Sequence, residues 1–449
     1  MHAIEKILAA KAGKSSVHAG EIVNCRVDWA GINDLYYQTV KSFYEMGGER
    51  VVDPEHVVLF FDHYAPCATE KQADNHKRFR AFAREQGIHH LMDINEGVCH
   101  QVMADHGFSA PGEVIVITDS HTTTHGAFGA FGTGVGATDL AVILATGRLW
   151  FKVPEVIRIN LTGKLPAGVY AKDIVLSIIG KLKADYAVYK AVEFAGPALQ
   201  QLSISERMTL CNMTTEMGAK TSYIQPDAIT LQFLKERGRQ DFTVYETDAD
   251  YVYAADLTFD VSEVEPQLAA PFSVDNVQAL SAYAGMHVDQ AYLGSCTGGR
   301  TEDFAVAAKI LAGQHIPAGT RMVMVPASKA VLAEYLAKGY IQTLLAAGAT
   351  LTASGCAACL GIHQGLLAAD EVCLSSTNRN FPGRMGSVKG RIYLGSPASV
   401  AAAARNGVVT DPRQYLDEKG EFPKVKDTTS IPRGLLLNRY SRRAGEVVN

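Results

Sequence analysis

Three cysteines are the residues of this chain whose type and spacing are best suited to chemistry. Cys296 lies in Gly-Ser-Cys-Thr-Gly-Gly-Arg, and Cys356 and Cys359 form a Cys-x-x-Cys pair in Ser-Gly-Cys-Ala-Ala-Cys-Leu-Gly. An iron–sulfur cube takes four ligands, so three thiolates would leave one iron without a protein sulfur. That open iron can act as a Lewis acid on a bound substrate. The count of three therefore favours an enzyme.

The same spacing has other interpretations. A Cys-x-x-Cys pair also occurs as half of a zinc site, as a redox pair or as two buried small side chains. His363, four residues after Cys359, is a candidate fourth ligand for a zinc ion. The remaining cysteines are scattered singly, as buried structural cysteines usually are. They are Cys25, Cys67, Cys99, Cys211 and Cys373.

Polar groups follow apolar, strand-like runs at several places in the chain. One run leads into Asp62 and His63, and another leads into Asp119 and His121. Both cysteine motifs also follow such runs. Because ligands of parallel α/β sheets bind beyond the carboxyl ends of the strands, this coincidence favours one functional site.

Imidazoles backed by carboxylates suit proton transfer near neutral pH. Besides the two pairs above, His100 and Glu216 lie in polar segments of their own. Each histidine taken singly would more often be a structural or surface group. Their joint occurrence at strand ends indicates acid–base chemistry.

Two arginines flank a Phe-Pro-Gly turn in Asn-Arg-Asn-Phe-Pro-Gly-Arg, at positions 379 and 384. Guanidinium groups bind carboxylates bidentately, so this turn suits a dicarboxylate or tricarboxylate. The glycine-rich stretch 126–136 lacks both nucleotide-loop spacings, and we interpret it as close backbone packing beside the site. A helix is expected over 137–147.

Short apolar strands alternate with helix-like stretches, for example 301–312 and 329–346, which predicts an α/β fold with mainly parallel sheets. We expect three α/β domains, over 1–154, 155–270 and 271–449, with a linker at 265–271. The tail after Tyr415 is charged and weakly periodic, so we expect it to lie on the surface or to be partly disordered.

Composition excludes several classes of protein. Of 449 residues, 47% are hydrophobic and 20% are charged, as in soluble globular proteins. No apolar run is long enough to span a bilayer, and the N-terminus lacks a signal peptide's apolar stretch. Eight cysteines and no disulfide pattern predict a reducing cytoplasm. A net charge of −5 argues against a general nucleic-acid binder.

Taken together, the motifs resemble the aconitase superfamily, and within it the 3-isopropylmalate dehydratase large subunits and their relatives. The resemblance covers about residues 20–412, in the family's motif order. It rests on four segments, which are 119–122, 294–297, 356–360 and 378–384.

The resemblance implies three α/β domains around a [4Fe–4S] cluster and, elsewhere in the family, a mobile fourth (swivel) domain that closes the site. Cys296, Cys356 and Cys359 would hold three irons, and the fourth would polarise the departing hydroxyl of a small di- or tricarboxylate. His63, supported by Asp62, would be the acid that protonates this hydroxyl.

Further roles follow from the same resemblance. His100 would pair with Asp119, and His121 with Glu216. The remaining expected substrate or cluster contacts are Asn33, Ser120, Asn212, Asn378, Arg379 and Arg384.

The base that removes the C–H proton lies on the family's mobile domain, for which this chain has no room. The resemblance therefore implies a split enzyme in which a separate small subunit supplies that domain. The chain alone is then expected to be inactive.

Two segments depart from the family's usual pattern. Thr-Gly-Gly follows Cys296 where many relatives have Thr-Asn, and two alanines separate the paired cysteines. These departures leave the substrate open among 3-isopropylmalate, 2,3-dimethylmalate, citramalate, homocitrate and maleate. Two remote alternatives are an iron-responsive RNA-binding protein and a structural zinc protein.

Overall fold

The computed structural model describes residues 1–425. Strands and helices alternate along this part of the chain. The strands are β1 (Ile22–Arg26), β2 (Trp29–Asn33), β3 (Val57–Phe60), β4 (His90–Met92), β5 (Val114–Ile117), β6 (Phe131–Gly134), β7 (Arg148–Lys152), β8 (Val156–Thr162), β9 (Ala191–Ala195), β10 (Thr221–Ile224), β11 (Ala255–Asp260), β12 (Gln267–Ala269), β13 (Val277–Ala279), β14 (Gln290–Gly294), β15 (Arg321–Val325), β16 (Thr350–Leu351), β17 (Val372–Ser375) and β18 (Arg391–Leu394). The α-helices are α1 (Ala3–Ala12), α2 (Gln38–Glu45), α3 (Glu70–Gln86), α4 (Cys99–Asp105), α5 (Ala137–Thr146), α6 (Ala171–Leu182), α7 (Ile204–Met213), α8 (Ala228–Glu236), α9 (Thr301–Leu311), α10 (Lys329–Ala337), α11 (Tyr340–Ala346) and α12 (Pro397–Asn406).

The first sheet has five parallel strands in the order β4-β3-β2-β5-β6. The first strand of this sheet along the chain, β2, lies at its centre. Strands β3 and β4 follow on one side and β5 and β6 on the other, so the strand order reverses between β2 and β5. Gly31 in β2 has no side chain, and this leaves room for the side chains of Phe60 in β3 and Ile117 in β5. A Cβ there would lie 2.9 Å from carbons of both Phe60 and Ile117. Strands β1 and β7 form a separate antiparallel ribbon.

The second sheet has four parallel strands in the order β10-β9-β8-β11. Helices α6 and α7 pack against each other in this part of the chain. Helix α7 begins with a capping box in which the Ser203 side chain accepts from the backbone N–H of Glu206, and the Glu206 carboxylate accepts from that of Ser203. Its far end delivers polar side chains toward the first and third sheets.

The third sheet has seven strands in the order β13-β12-β18-β17-β14-β15-β16. The five strands from β18 to β16 are parallel, whereas β12 and β13 are antiparallel additions at one edge. The first strand of the parallel set, β14, lies between β17 and β15, so this sheet also reverses its order beside a central strand. Both reversals create a crevice at the carboxyl ends of the strands.

These sheets confirm the predicted α/β fold with mainly parallel strands. The three sheets follow one another along the chain, and the stretch expected to be a linker contains β12, which already pairs in the third sheet. The predicted single helix over 329–346 is wrong. It is divided into α10 and α11 because Gly339 between them adopts a left-handed backbone with φ of 74°.

Helix α5 forms where the glycine-rich stretch ends, as predicted. No helix within residues 1–425 combines the length and apolar character needed to cross a membrane. The prediction for the tail falls largely on residues 426–449, which lie outside the described residues.

Candidate active site

The predicted site residues meet where strands of the first and third sheets end. Asn33 is the last residue of β2, Asp62 lies two residues after β3, and Asp119 lies two residues after β5. From the third sheet, Cys296 follows β14 and Asn378 follows β17. Because all five strands are parallel to their neighbours, their carboxyl ends bring these side chains into one buried crevice.

Asp62 and His63 form a buried carboxylate–imidazole pair. Nδ1 of His63 lies 2.8 Å from Oδ1 of Asp62. The amide of Asn33 donates to both carboxylate oxygens, at 3.1 and 2.9 Å, and the backbone N–H of Cys99 donates to Oδ2 at 3.0 Å. The aspartate is thus fixed on every side, and it directs Nε2 of His63 toward Asp119, whose Oδ2 is 3.9 Å away.

The charge around His63 favours its protonated form. Burial alone would lower the pKa of this imidazole, but the negative charge that Cys356 carries in its thiolate form and the charge of Asp62 raise its pKa well above the usual value. A histidine that keeps its proton in a buried crevice is suited to act as a general acid.

Asp119 receives hydrogen bonds from two histidines. Nε2 of His100 lies 2.9 Å from Oδ1, and the backbone N–H of His121 donates to the same oxygen at 2.8 Å. Burial would raise the pKa of Asp119, yet the charge of His100 and these hydrogen bonds hold its pKa well below the usual range. The structure therefore brings the predicted pair His100–Asp119 into direct contact.

The second predicted pair is also in contact. Nε2 of His121 lies 2.7 Å from Oε1 of Glu216, and Arg379 donates from Nε to the same oxygen at 2.8 Å. Burial would raise the pKa of Glu216, but hydrogen bonding and charge from His121 and Arg379 lower it. This carboxylate links the first sheet, the end of α7 and the third sheet.

The three predicted cysteine ligands are buried and converge. The amides of Asn212 and Asn378 each donate to Sγ of Cys296 at 3.3 Å. Sγ of Cys359 lies 3.6 Å from Oδ1 of the same Asn378. Cys356 lies one 3₁₀ turn before Cys359, and its backbone N–H donates to the carbonyl of Asp62 at 2.8 Å.

The thiols suit a group larger than one ion. Within residues 1–425, Cys296, Cys356 and Cys359 do not together form a ligand set whose atoms all lie within 4.8 Å of one another, and Cys356 is grouped instead with Asp62 and His63. Zinc–thiolate bonds of about 2.3 Å would require them to be that close. His363 does not change this, because its Nε2 lies 3.0 Å from the carbonyl oxygen of His63 and its Nδ1, partnerless among the described residues, belongs to no ligand set that includes these thiols. The donor set therefore fits a multi-iron cluster better than a single zinc ion.

Burial raises the pKa of Cys296 to about 12 and that of Cys356 to about 12. Without a metal, these thiols hold their protons at neutral pH. Iron binding would have to displace the protons, which makes loading of the site dependent on pH.

The arginine turn lies beside the thiols. Arg379 is held by Glu216, whereas Nε of Arg384 is buried and has no hydrogen-bond partner among the described residues. Ser120 is exposed, with Oγ 3.4 Å from Nδ1 of His121. A guanidinium group with an unmet donor is suited to receive an anionic ligand.

Gly298 stands where many members of the family have asparagine, and the structure gives a steric reason for this difference. A Cβ at this position would lie 2.1 Å from Oγ of Ser376. Ser376 is fixed there because its Oγ accepts the backbone N–H of Gly294 at 3.0 Å. An asparagine at 298 would displace this serine, so the close approach of the two loops requires glycine.

Two buried cations behind the thiols were missed by sequence reasoning. Nζ of Lys172 lies 2.6 Å from the carbonyl of Thr377, 3.2 Å from that of Ser376 and 3.3 Å from Oγ1 of Thr297. Three donors thus meet three oxygens. The signal in the sequence was a lone lysine opening the apolar helix α6.

The other missed cation, Arg300, holds the first cysteine loop. Its guanidinium donates to the carbonyl of Cys296, to Oε1 of Gln101 at 2.9 Å and to Oγ1 of Thr209 at 2.9 Å. These contacts tie the third sheet to α4 and α7. Arg300 lies within the motif of Cys296, but its sequence position did not reveal that it is buried.

The model of the aconitase family (aconitate hydratase) matches residues 5–286 and 278–407. The chain belongs to the aconitase family. It is 48% identical over 413 residues to 3-isopropylmalate dehydratase large subunit 1 of Methanopyrus kandleri, covering 92% of this chain and 99% of the relative.

Another similar relative carries a different name. The probable methanogen homoaconitase large subunit of Methanothermobacter thermautotrophicus is 46% identical over 419 residues, covering 92% of this chain and 98% of the relative. Among solved structures, aconitase X of Thermococcus kodakaraensis in its holo-form aligns with a TM-score of 0.51 at 11% identity, over 86% of this chain and 93% of the other. That likeness supports the fold alone.

Proposed function

We propose that this chain is the [4Fe–4S]-binding large subunit of a hydro-lyase that dehydrates a substituted malate and rehydrates the product, with 3-isopropylmalate as the first candidate substrate. The proposal is carried by one observation. Cys296 and Cys359 converge on Asn378, and Cys356 lies beside the paired Asp62 and His63.

In this proposal the three thiolates hold the cluster, which supplies a Lewis-acidic iron at the site. Asn212 and Asn378 orient the sulfur of Cys296 by hydrogen bonds. Such contacts to a ligand atom tune both its position and its basicity.

His63 is the proposed general acid. Asp62 holds Nδ1, so Nε2 faces the crevice and can deliver its proton to the leaving hydroxyl. Asp119, with His100 and His121 bonded to it, keeps a negative charge 3.9 Å from that nitrogen and so opposes early loss of the proton.

Arg379 and Arg384 are the proposed carboxylate anchors. Glu216 fixes the direction of Arg379, while Nε of Arg384 is buried and has no hydrogen-bond partner within residues 1–425. We propose that a separate small subunit supplies the base that removes the C–H proton, as the words "large subunit" in the names of the relatives suggest.

The test is anaerobic reconstitution of the full chain followed by iron and acid-labile sulfide analysis. About four of each per chain are expected for a cube. Hydration and dehydration are then assayed with and without the cognate small subunit, which is expected to be required. Zinc in place of iron, or a loaded complex that converts no substituted malate, would overturn the proposal.

Homoaconitase activity is the second candidate, because relatives at 46–49% identity carry that name. The two substrates differ in the group on the malate, which is isopropyl in one and an additional carboxylate-bearing chain in the other. Direct comparison of kcat/KM for 3-isopropylmalate and homocitrate separates them.

A further inference from the structure

A second cluster of reactive groups joins Cys67, on the loop that follows His63, to His76 in α3 and to Asp34 after β2. Sγ of Cys67 lies 3.2 Å from Nδ1 of His76, and Nε2 of that imidazole lies 2.9 Å from Oδ2 of Asp34. The thiol and the carboxylate thus engage opposite nitrogens of one ring. Within residues 1–425 these three do not form a set of ligand atoms within 4.8 Å, so the arrangement suits a proton relay and not a metal ion.

The imidazole of this relay is rigidly held. His76 is buried, and its ring stacks on that of Phe61 with centroids 3.9 Å apart and planes 9° from parallel. Asp34 is fully buried and also accepts the backbone N–H groups of His63 and Tyr64, at 3.1 and 2.8 Å. A fixed base oriented by a buried carboxylate is the arrangement that activates nucleophiles in cysteine and serine enzymes.

Access distinguishes Cys67 from every other cysteine of the chain. The remaining seven are buried, whereas Cys67 is only half-buried. Among the eight cysteines, Cys67 is therefore the one that a reagent in solution should reach most readily.

We propose that Cys67 is a reactive thiol, activated by His76 and Asp34, that exchanges with small disulfides such as oxidised low-molecular-weight thiols. Burial and the charge of Asp34 raise the pKa of the Cys67 thiol, so little free thiolate is present. The imidazole of His76 removes the proton as the sulfur attacks.

The step balances as a thiol–disulfide exchange. The sulfur of Cys67 bonds to one sulfur of the disulfide, and the bond between the two disulfide sulfurs breaks. The departing thiolate takes the proton that His76 received from Cys67. Cys67 ends as a mixed disulfide, and one small thiol is released.

This modification would reach the proposed acid through Asp34. A group attached to Cys67 would push on His76, which shares Asp34 with the backbone of His63 and Tyr64. Displacing that carboxylate would shift the His63 loop. This consequence rests on the proposed function, and it predicts reversible loss of activity.

The experiment treats the cluster-loaded full chain with less than one equivalent of 2,2′-dithiodipyridine under anaerobic conditions. Release of thiopyridone gives the rate, and peptide mass mapping gives the position. Cys67 should be labelled first and faster than glutathione at the same pH. His76→Gln should slow the labelling at least tenfold, because accessibility is kept and the base is lost.

Two outcomes would overturn the proposal. The first is that another cysteine is labelled before Cys67, or that Cys67 reacts no faster than glutathione. This outcome can be read from the wild-type chain alone. The other is an unchanged rate in His76→Gln, which would mark an exposed thiol without activation.

A second arm measures hydro-lyase activity of the loaded complex before and after treatment with oxidised glutathione. A loss of at least fivefold, restored by dithiothreitol and absent in Cys67→Ala, is expected. Unchanged activity of a labelled wild-type enzyme would overturn the link to His63. Because labelling is read without any turnover, failure of the proposed function and failure of the thiol chemistry give different results.

Discussion

Arg379 donates from Nε to Oε1 of Glu216 at 2.8 Å, and this oxygen also lies 2.7 Å from Nε2 of His121. The carboxylate therefore fixes a proposed substrate anchor and a site histidine with one atom. Hydrogen bonds to a charged partner contribute about 1.5–3 kcal/mol each.

Replacing Glu216 with glutamine tests this link. Glu216→Gln keeps the size of the side chain but removes its charge, so Arg379 loses its fixed direction. We expect KM for the dicarboxylate to rise at least tenfold while the iron content stays unchanged. Steady-state kinetics and iron analysis of the same preparation check this, with Glu371→Gln, at an exposed ion pair with Arg321, as the control. An unaltered KM would contradict the anchoring role.

Loss of the proposed acid should affect turnover more than binding. In His63→Gln no group can protonate the leaving hydroxyl, and we expect kcat to fall by about 10²–10⁴. Asp62→Asn retains the imidazole but not its charged partner, so a smaller loss is expected. Both variants should bind iron as the wild type does. If His63→Gln retained full kcat, another residue would have to be the acid.

The three thiols should differ from the remaining buried cysteines in iron binding. Cys356→Ser should lose most of its iron and acid-labile sulfide after reconstitution, because the site then has two thiolates. Cys373→Ser is the matched control. Cys373 is fully buried in β17, and its sulfur lies 4.0 Å from Nε2 of Gln290, away from the site. Equal iron in the two variants would remove Cys356 from the ligand set.

Acid should weaken the ion pair that joins α7 to the start of α8. Asp227 accepts two hydrogen bonds from the buried Arg207, at 2.7 and 2.8 Å. Burial would raise the pKa of Asp227, but the hydrogen bonds from Arg207 and from the backbone of α8 lower it to about 2. Its pKa is thus depressed by folding, so the stabilisation is complete above the unfolded value near 4 and is lost as the pH falls toward 2.

A shift of this size corresponds to about 2 kcal/mol of unfolding free energy. Urea unfolding of the metal-free chain between pH 5 and pH 2.5 checks the slope. Asp227→Asn should be less stable at pH 5 and should show a shallower decline. A decline equal to that of the wild type would show that other carboxyl groups dominate.

The positions of some site residues could be predicted from the sequence, because each of these residues closely follows the end of a strand. Asp62 and Asp119 both follow short apolar runs, and parallel strands must present their ends at one edge. The contacts of Lys172 could not be predicted in this way. They join α6 to loops 125 and more residues away, and local patterns carry no information about such distances.

Close packing between loops likewise could not be predicted from the sequence. The glycine at 298 was noted as a departure from the family, but its cause is Ser376 on a different strand end. In the same way, nothing in the local sequence distinguishes Asp34 from its neighbour Asn33, although Asp34 joins the backbone of His63 to the ring of His76. The sequence shows which groups are present, whereas their partners depend on how the three sheets meet.

The span of the site along the chain bears on when it can be loaded during biosynthesis. Asn33 closes β2 near the beginning, while Asn378 follows β17 and needs β18 for its sheet. A nascent chain that ends between residues 359 and 394 holds all three thiols but lacks a complete third sheet around them. Since domains fold as units during synthesis, delivery of the proposed cluster should wait until β18 has been made and has paired with β17. A protein that delivers the cluster would then encounter a complete third sheet.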